Sequence, residues 1–295
     1  MKLGIQLGFE RGMNLPEGGE YRMLSEAGFY SVDYALANAY TDSLWQLPDE
    51  ELKETMLQIR DTIHQNGMRV GQTHSPLDAY WYDNPDTKEA RWKAQVQAIK
   101  AASFLESPYI VIHPIAETPR VDKATYERVK ALNMEFYNYL KPYLETYNVK
   151  CAIENLFSYD TVLGRYCKTT FSTADDLKDY IDTLDSDRFV VCLDVGHAFL
   201  TYQDPVEMIY ALGKKYLHVT HIHDNNGYED SHLIPGAGKI DWYAIGKALN
   251  DIGYDGVFSY EASATYFRFG ENGKYLMPEL IRLFAEMGKV ITKIK

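Results

Sequence analysis

Two hydrophobic periods take turns along the chain. Short β-rich runs alternate with longer stretches whose apolar residues recur at helical spacing. The runs predict strands at residues 3–7, 31–34, 68–74, 109–113, 149–154, 189–194, 216–222 and 256–261. The stretches predict helices at 17–27, 49–66, 87–106, 123–147, 173–184, 205–213, 241–251 and 276–292. Helix starts are signalled by Pro48-Asp49-Glu50-Glu51, Ser172-Thr173-Ala174-Asp175-Asp176 and Asp204-Pro205. Gly28, Gly67 and Gly253 fall where helices should stop, suiting left-handed caps. Such alternation means parallel strands joined by crossover helices, and eight units close a (β/α)8 TIM barrel. A doubly wound open sheet is the alternative, but it would gather its ligand at one crevice beside a topological switch. No linker or composition break divides residues 1–295, so one domain is expected.

The predicted strands end on side chains that bind metals. They are His74, His113, Glu154, Asp194 with His197 in the following turn, His221, and Glu261; Asp230 and His232 sit in the loop after His221. Active sites of such barrels form at this C-terminal rim, and imidazoles with carboxylates suit a borderline cation such as Zn²⁺ or Mn²⁺. Taken singly, a His after an apolar strand is usually just hydrogen-bonded, and a Glu there is often a helix-cap partner. Taken together, four carboxylates and five imidazoles on one rim would be very costly to bury without a cation.

Other candidates carry less. Gly236-Ala237-Gly238-Lys239 lacks the spacing of a phosphate loop. His64 lies on a predicted helix and His218 has the opposite strand parity to His221, so both read as structural. His223 shares parity with His221 but lies past the ligand end, and Asp224 reads as a partner that orients a ligand histidine. Tyr80-Trp81-Tyr82 could wall a sugar pocket or simply pack a loop, and Arg268 could reach a phosphate or water.

Composition narrows the function. With 295 residues, 46% hydrophobic and 24% charged, the chain is an ordinary globular protein. A net charge of −12 and no basic run longer than Lys214-Lys215 speak against nucleic-acid binding. Cys151, Cys167 and Cys192 show no CxxC spacing, which suits buried thiols in a reducing cytoplasm. The N-terminal segment enters a strand pattern at once, so no signal peptide is expected, and no apolar run approaches a membrane span of about 20 residues.

These residues carry a family resemblance. Ile153-Glu154-Asn155, Leu193-Asp194-Val195-Gly196-His197, the stretch from His221-Ile222-His223-Asp224-Asn225 through Asp230-Ser231-His232 to Trp242, and Tyr260-Glu261 resemble the xylose isomerase-like TIM-barrel superfamily. Its ketose 3-epimerase-like branch implies one divalent ion held by Glu154, Asp194, His221 and Glu261. In that branch Glu154 and Glu261 flank the sugar and pass a proton beside its carbonyl, and His197 contacts substrate. The endonuclease IV branch implies that all nine residues hold a zinc cluster, with His74, His113, His197, Asp230 and His232 as the additional ligands.

Two departures pull in opposite directions: the acidic surface from the endonuclease, and the lack of any Arg between His221 and Arg268 from the epimerase. The expectation is a divalent-metal-dependent sugar or sugar-phosphate isomerase/epimerase. Catalytic roles fall to Glu154, Glu261 and His197, with Zn or Mn, or else Mg or Co, as cofactor. The alternative is an endonuclease IV-like multinuclear zinc phosphoesterase; a non-catalytic metal- or sugar-binding barrel is a third. The expected partner is a small sugar or sugar phosphate rather than nucleic acid or membrane, and a homo-oligomer fits the class.

Overall fold

All eight predicted strands form, each within one residue of the expected bounds. The computed structural model describes residues 1–7, 15–37, 39–77, 85–115, 122–262, 264–268 and 272–293. The strands are β1 (Lys2–Gln6), β2 (Ser31–Ala35), β3 (Arg69–His74), β4 (Tyr109–Ile112), β5 (Lys150–Glu154), β8 (Phe189–Asp194), β9 (Leu217–His221) and β10 (Val257–Tyr260). They lie in the order β10-β1-β2-β3-β4-β5-β8-β9, all parallel. Sequential order excludes the doubly wound sheet, which reverses direction at a switch point. The remaining seam, between β9 and β10, is closed by a parallel bridge from Ile222 to Tyr260. The architecture is a (β/α)8 barrel.

Around it run α1 (Gly19–Ala27), α2 (Asp49–Gln65), α3 (Lys88–Phe104), α4 (Lys123–Thr146), α5 (Ala174–Leu184), α7 (Pro205–Tyr216), α8 (Trp242–Asp251) and α10 (Gly273–Ile291). The start signals are made of hydrogen bonds where side chains allow it. Thr173 and Asp176 form a reciprocal capping box on α5, and Asp204 accepts from the N–H groups of Val206 and Glu207 on α7. Gly28, Gly67 and Gly253 take left-handed φ values of 101°, 80° and 67°.

Several elements were not expected. β6 (Phe157–Asp160) and β7 (Arg165–Lys168) form an antiparallel hairpin directly after Glu154. One short helix, α6 (Val195–Leu200), fills the turn after β8, and another, α9 (Ala264–Phe267), follows β10.

Strand parity divides the interior. One face of each strand packs against the helices in the main core; the other forms a small lumen cluster of Val111, Ala152, Val190, Cys192 and Val219. Continuing that lumen parity to the strand ends reaches His113, Glu154, Asp194 and His221. The same alternation that packs the barrel therefore aims the site residues inward. Across the lumen, β10, β1, β2 and β3 contribute small or polar residues instead: Ser259, Gly4, Ser31, Asp33 and Gln72, with the four side chains buried.

Candidate metal centre

The barrel brings all nine expected residues to one cluster, with Glu154 at its hub. Glu154 is 1% exposed. Its Oε2 lies 3.1 Å from His113 Nε2 and 3.6 Å from His74 Nε2. Its Oε1 lies 3.2 Å from His221 Nδ1 and 3.3 Å from His197 Nδ1. His221 Nδ1 is also 3.1 Å from Glu261 Oε2 and 3.9 Å from Asp194 Oδ2. On the far side, Asp230 Oδ2 stands 3.1 Å from His232 Nε2 and 3.7 Å from His197 Nε2.

Donor atoms within 4.8 Å of one another form three groups of interest: His74, His113 and Glu154; Glu154, Asp194, His221 and Glu261; and His197, His223, Asp230 and His232. Glu154 belongs to the first two. His223 does not fit as a ligand in the third. Its ring lies parallel to that of His232, 3.9 Å away and tilted by 10°. One ion cannot lie in both ring planes at that spacing, whereas an imidazole binds a metal in its own plane. His223 Nε2 donates instead to Asp194, 2.9 Å from Oδ1. Cys192, close to Glu154 and His221, is a thiol whose pKa burial pushes up, so it stays protonated and weakly ligating.

The imidazoles are oriented from behind. His74 Nδ1 donates to the Ser75 carbonyl (2.9 Å), His197 Nδ1 to that of Asn155 (3.0 Å), and His232 Nδ1 to that of Glu261 (2.7 Å). Each bond leaves Nε2 free to face the cluster, the arrangement that presents a neutral histidine to a cation. Asp194 Oδ1 accepts from the backbone N–H of His197 at 2.6 Å, capping α6, while Oδ2 turns toward His221. Asn155 brackets β8 through bonds to both the N–H and carbonyl of Asp194, and Gln6 donates to Glu261 at 3.0 Å. Asp33, Gln72, Gln6 and Asn155 all support the cluster; Asn155 stood in the Ile153-Glu154-Asn155 motif, whereas Asp33, Gln72 and Gln6 did not stand out in the sequence. The usable signal was a polar residue at lumen parity inside or beside an otherwise apolar strand.

Without a cation the cluster holds protons to balance its charge. Burial alone would lower His221, yet the carboxylates of Glu261, Glu154 and Asp33 lift it well above the usual imidazole range. His197 is likewise raised against its burial, by Asp194, Asp230 and Glu154. His232 reaches about 9, burial being outweighed by Asp230 and Glu261. Burial opposes ionisation of Glu154 and Asp194, but neighbouring histidines keep both carboxylates low. His74 rises while His113 falls, since burial wins at His113 even though both face Glu154. Histidines held protonated by buried carboxylates at ligand distances are the donor chemistry that a divalent cation replaces. The residues fit one.

The remaining candidates resolve as follows. Asp224 orients no histidine. Its buried carboxylate accepts from the backbone N–H groups of Asn225, Gly236, Gly238, Lys239 and Ile240 and from Trp242 Nε1. The loop N–H groups that a phosphate would need are therefore engaged by the protein's own anion. His218 meets Tyr109 Oη (3.4 Å) at the opposite strand ends, and His64 sits on α2. Arg268 is exposed just past α9. Tyr80-Trp81-Tyr82 lie outside the described residues. A cavity of about 660 Å³, bordered by Tyr202, Tyr228 and Lys239, contains none of the nine residues. Among the described residues, no helix is long and apolar enough to cross a membrane.

The profile of the xylose isomerase-like TIM barrel matches residues 21–287, and the chain belongs to that family. It is 33% identical over 167 residues to the uncharacterized protein MJ1311 of Methanocaldococcus jannaschii, covering 56% of this chain and 54% of that relative. The chain thus spans about half the length of that relative. It is 26% identical over 213 residues to the D-psicose 3-epimerase of Ruminiclostridium cellulolyticum, covering 68% of this chain and 65% of the epimerase. Among solved structures, the IOLI protein with a bound zinc atom superposes with a TM-score of 0.73 at 18% identity, covering 99% of this chain and 98% of the other. Its homologues thus include a sugar epimerase.

Proposed function

We propose that the protein is a divalent-metal-dependent isomerase or epimerase of a sugar or sugar phosphate. The observation that carries this reading is the approach of both Glu154 and Glu261 to His221 Nδ1, at 3.2 and 3.1 Å, in a family with sugar-epimerising members. When bound by Glu154, Asp194, His221 and Glu261, a cation would polarise a substrate carbonyl and its neighbouring hydroxyl and favour developing negative charge. Glu261, with 14% of its side chain exposed and one oxygen held by Gln6, is the carboxylate more open to a substrate. It takes the proton beside the carbonyl; Glu154, more deeply held, returns one on the other face. His197, whose ring meets the Phe157 edge at 4.8 Å, would touch the sugar hydroxyls.

Glu154→Gln and Glu261→Gln should each abolish solvent-deuterium exchange into a ketose while the variants still fold and melt cooperatively. Exchange that persists in both variants would sink the two-carboxylate scheme.

One observation favours a second reading. Glu154 joins two donor groups, and His197, Asp230 and His232 make a third, a layout that would suit a multinuclear zinc phosphoesterase. Metal analysis separates the two: one ion per chain supports the epimerase, and two or three support phosphoester hydrolysis.

A further inference from the structure

His74, His197 and His232 are oriented by backbone carbonyls, but His221 is not. Its Nε2 lies 3.2 Å from Asp33 Oδ2, and its Nδ1 faces Glu154 and Glu261. Asp33 belongs to β2, which the sheet order separates from β9 by β10 and β1, so the contact spans the lumen. The Asp33 side chain is fully buried, and Gln72 Nε2 on β3 donates to the same Oδ2 at 2.8 Å.

A buried carboxylate held by one neutral amide is poorly compensated, and Asp33 Oδ1 has no hydrogen-bond partner among the described residues. His221 Nε2, 3.2 Å from Oδ2, likewise has no hydrogen-bond partner among the described residues, so two buried, unpaired polar groups stand side by side. We propose that Asp33 is a positioning residue of the metal centre. A small turn of the His221 ring would let Asp33 Oδ2 accept a hydrogen bond from Nε2–H across the 3.2 Å contact, fixing the tautomer whose Nδ1 lone pair points at Glu154, Asp194 and Glu261. Its negative charge makes that nitrogen a stronger donor to a divalent cation, and Gln72 keeps the carboxylate in register. This inference rests on the cation reading above.

The test uses the full-length, metal-stripped protein titrated with Co²⁺, read by its visible d–d absorption and by competition with a chelator. The part of the signal lost in His221→Ala identifies the relevant site. Asp33→Ala should weaken Co²⁺ there by about 10–100-fold. Asp33→Asn, which keeps an acceptor oxygen but not the charge, should fall between Ala and wild type. If Asp33→Ala fails to fold, the near-isosteric Asn variant decides. Ring ¹⁵N shifts of the Zn²⁺-loaded wild type should show the His221 proton on Nε2. Folded Asp33 variants that bind Co²⁺ as tightly as wild type, or a proton on Nδ1, would overturn the role of Asp33. Wild type that binds no Co²⁺ would overturn the cation reading itself.

Discussion

Replacing Asp224 with Ala should be among the most damaging single changes outside the metal cluster. The carboxylate is fully buried and gathers five backbone N–H groups and the Trp242 indole, at 2.8 to 3.2 Å. Hydrogen bonds to a charged group contribute about 1.5–3 kcal/mol each, and an orphaned buried donor costs about 1–3 kcal/mol. Water can reach the Gly236, Gly238 and Lys239 N–H groups once the side chain is gone, because this part of the loop is exposed or half-buried. It reaches the buried Asn225 and Ile240 N–H groups and the Trp242 indole far less readily. Three poorly rehydrated donors, taken in the lower part of that range, give about 3–5 kcal/mol. At about 2 °C per kcal/mol for a chain of this size, the melting temperature should fall by roughly 6–10 °C. Asp224→Asn should lose somewhat less, since one acceptor oxygen remains. Differential scanning calorimetry of the two variants is the assay. A loss below about 1 kcal/mol in Asp224→Ala would refute the claim that this carboxylate organises the loop.

Two further outcomes follow from the site. In Gly196→Ala the new Cβ would lie 2.0 Å from His223 Cε1 and 2.4 Å from Nδ1, so His223 must leave Asp194. The expected destabilisation is about 1–3 kcal/mol, read by thermal melts, and an unchanged melt would show that the ring yields freely. Cation binding at His197, Asp230 and His232 must displace the proton that holds His232 near 9 in the ion-free protein. His197 is raised as well and must also give up its proton, so affinity should rise by more than tenfold, and up to about a hundredfold, per pH unit from pH 7 to about 9, with proton release detected by calorimetry in buffers of different ionisation heat. The same raised pKa stabilises the ion-free fold fully below about pH 6.5, and that contribution disappears as pH passes about 9. Affinity that does not change over this range would contradict the shift.

Architecture and rim were legible in the sequence because strand parity is a strict physical rule. Once residues 150–154 and 189–194 read as buried parallel strands, Glu154 and Asp194 had to end them on the lumen side. Asp33 escaped notice because a lone acid in Ser31-Val32-Asp33-Tyr34 looks like an exposed strand position, and only the closed barrel gives it His221 as a neighbour. The hairpin β6–β7 was missed because the βα rhythm hides a local antiparallel excursion; its Tyr159-to-Tyr166 pairing and Gly164 turn were the available cue. Asp224 was assigned to the wrong partner. Proximity in sequence suggested a histidine, whereas the backbone turns at Gly236 and Gly238 bring a ring of N–H groups closer.

The seam between β9 and β10 gives the site a mechanical role. Its main-chain links are Ile222 N–H to the Ser259 carbonyl (2.8 Å) and Glu261 N–H to the Ile222 carbonyl (3.0 Å), with the Thr220 hydroxyl reaching the Val257 carbonyl (2.9 Å). Its neighbours are joined by ladders of four registered pairs each, regular from β1 to β10 and with one register shift after Val191 from β8 to β9. His221 and Glu261 stand on opposite lips of this thin join. A cation gripped by both would act as a clasp, and amide exchange at Ile222 and Glu261 would then report metal loading as directly as the chemistry does.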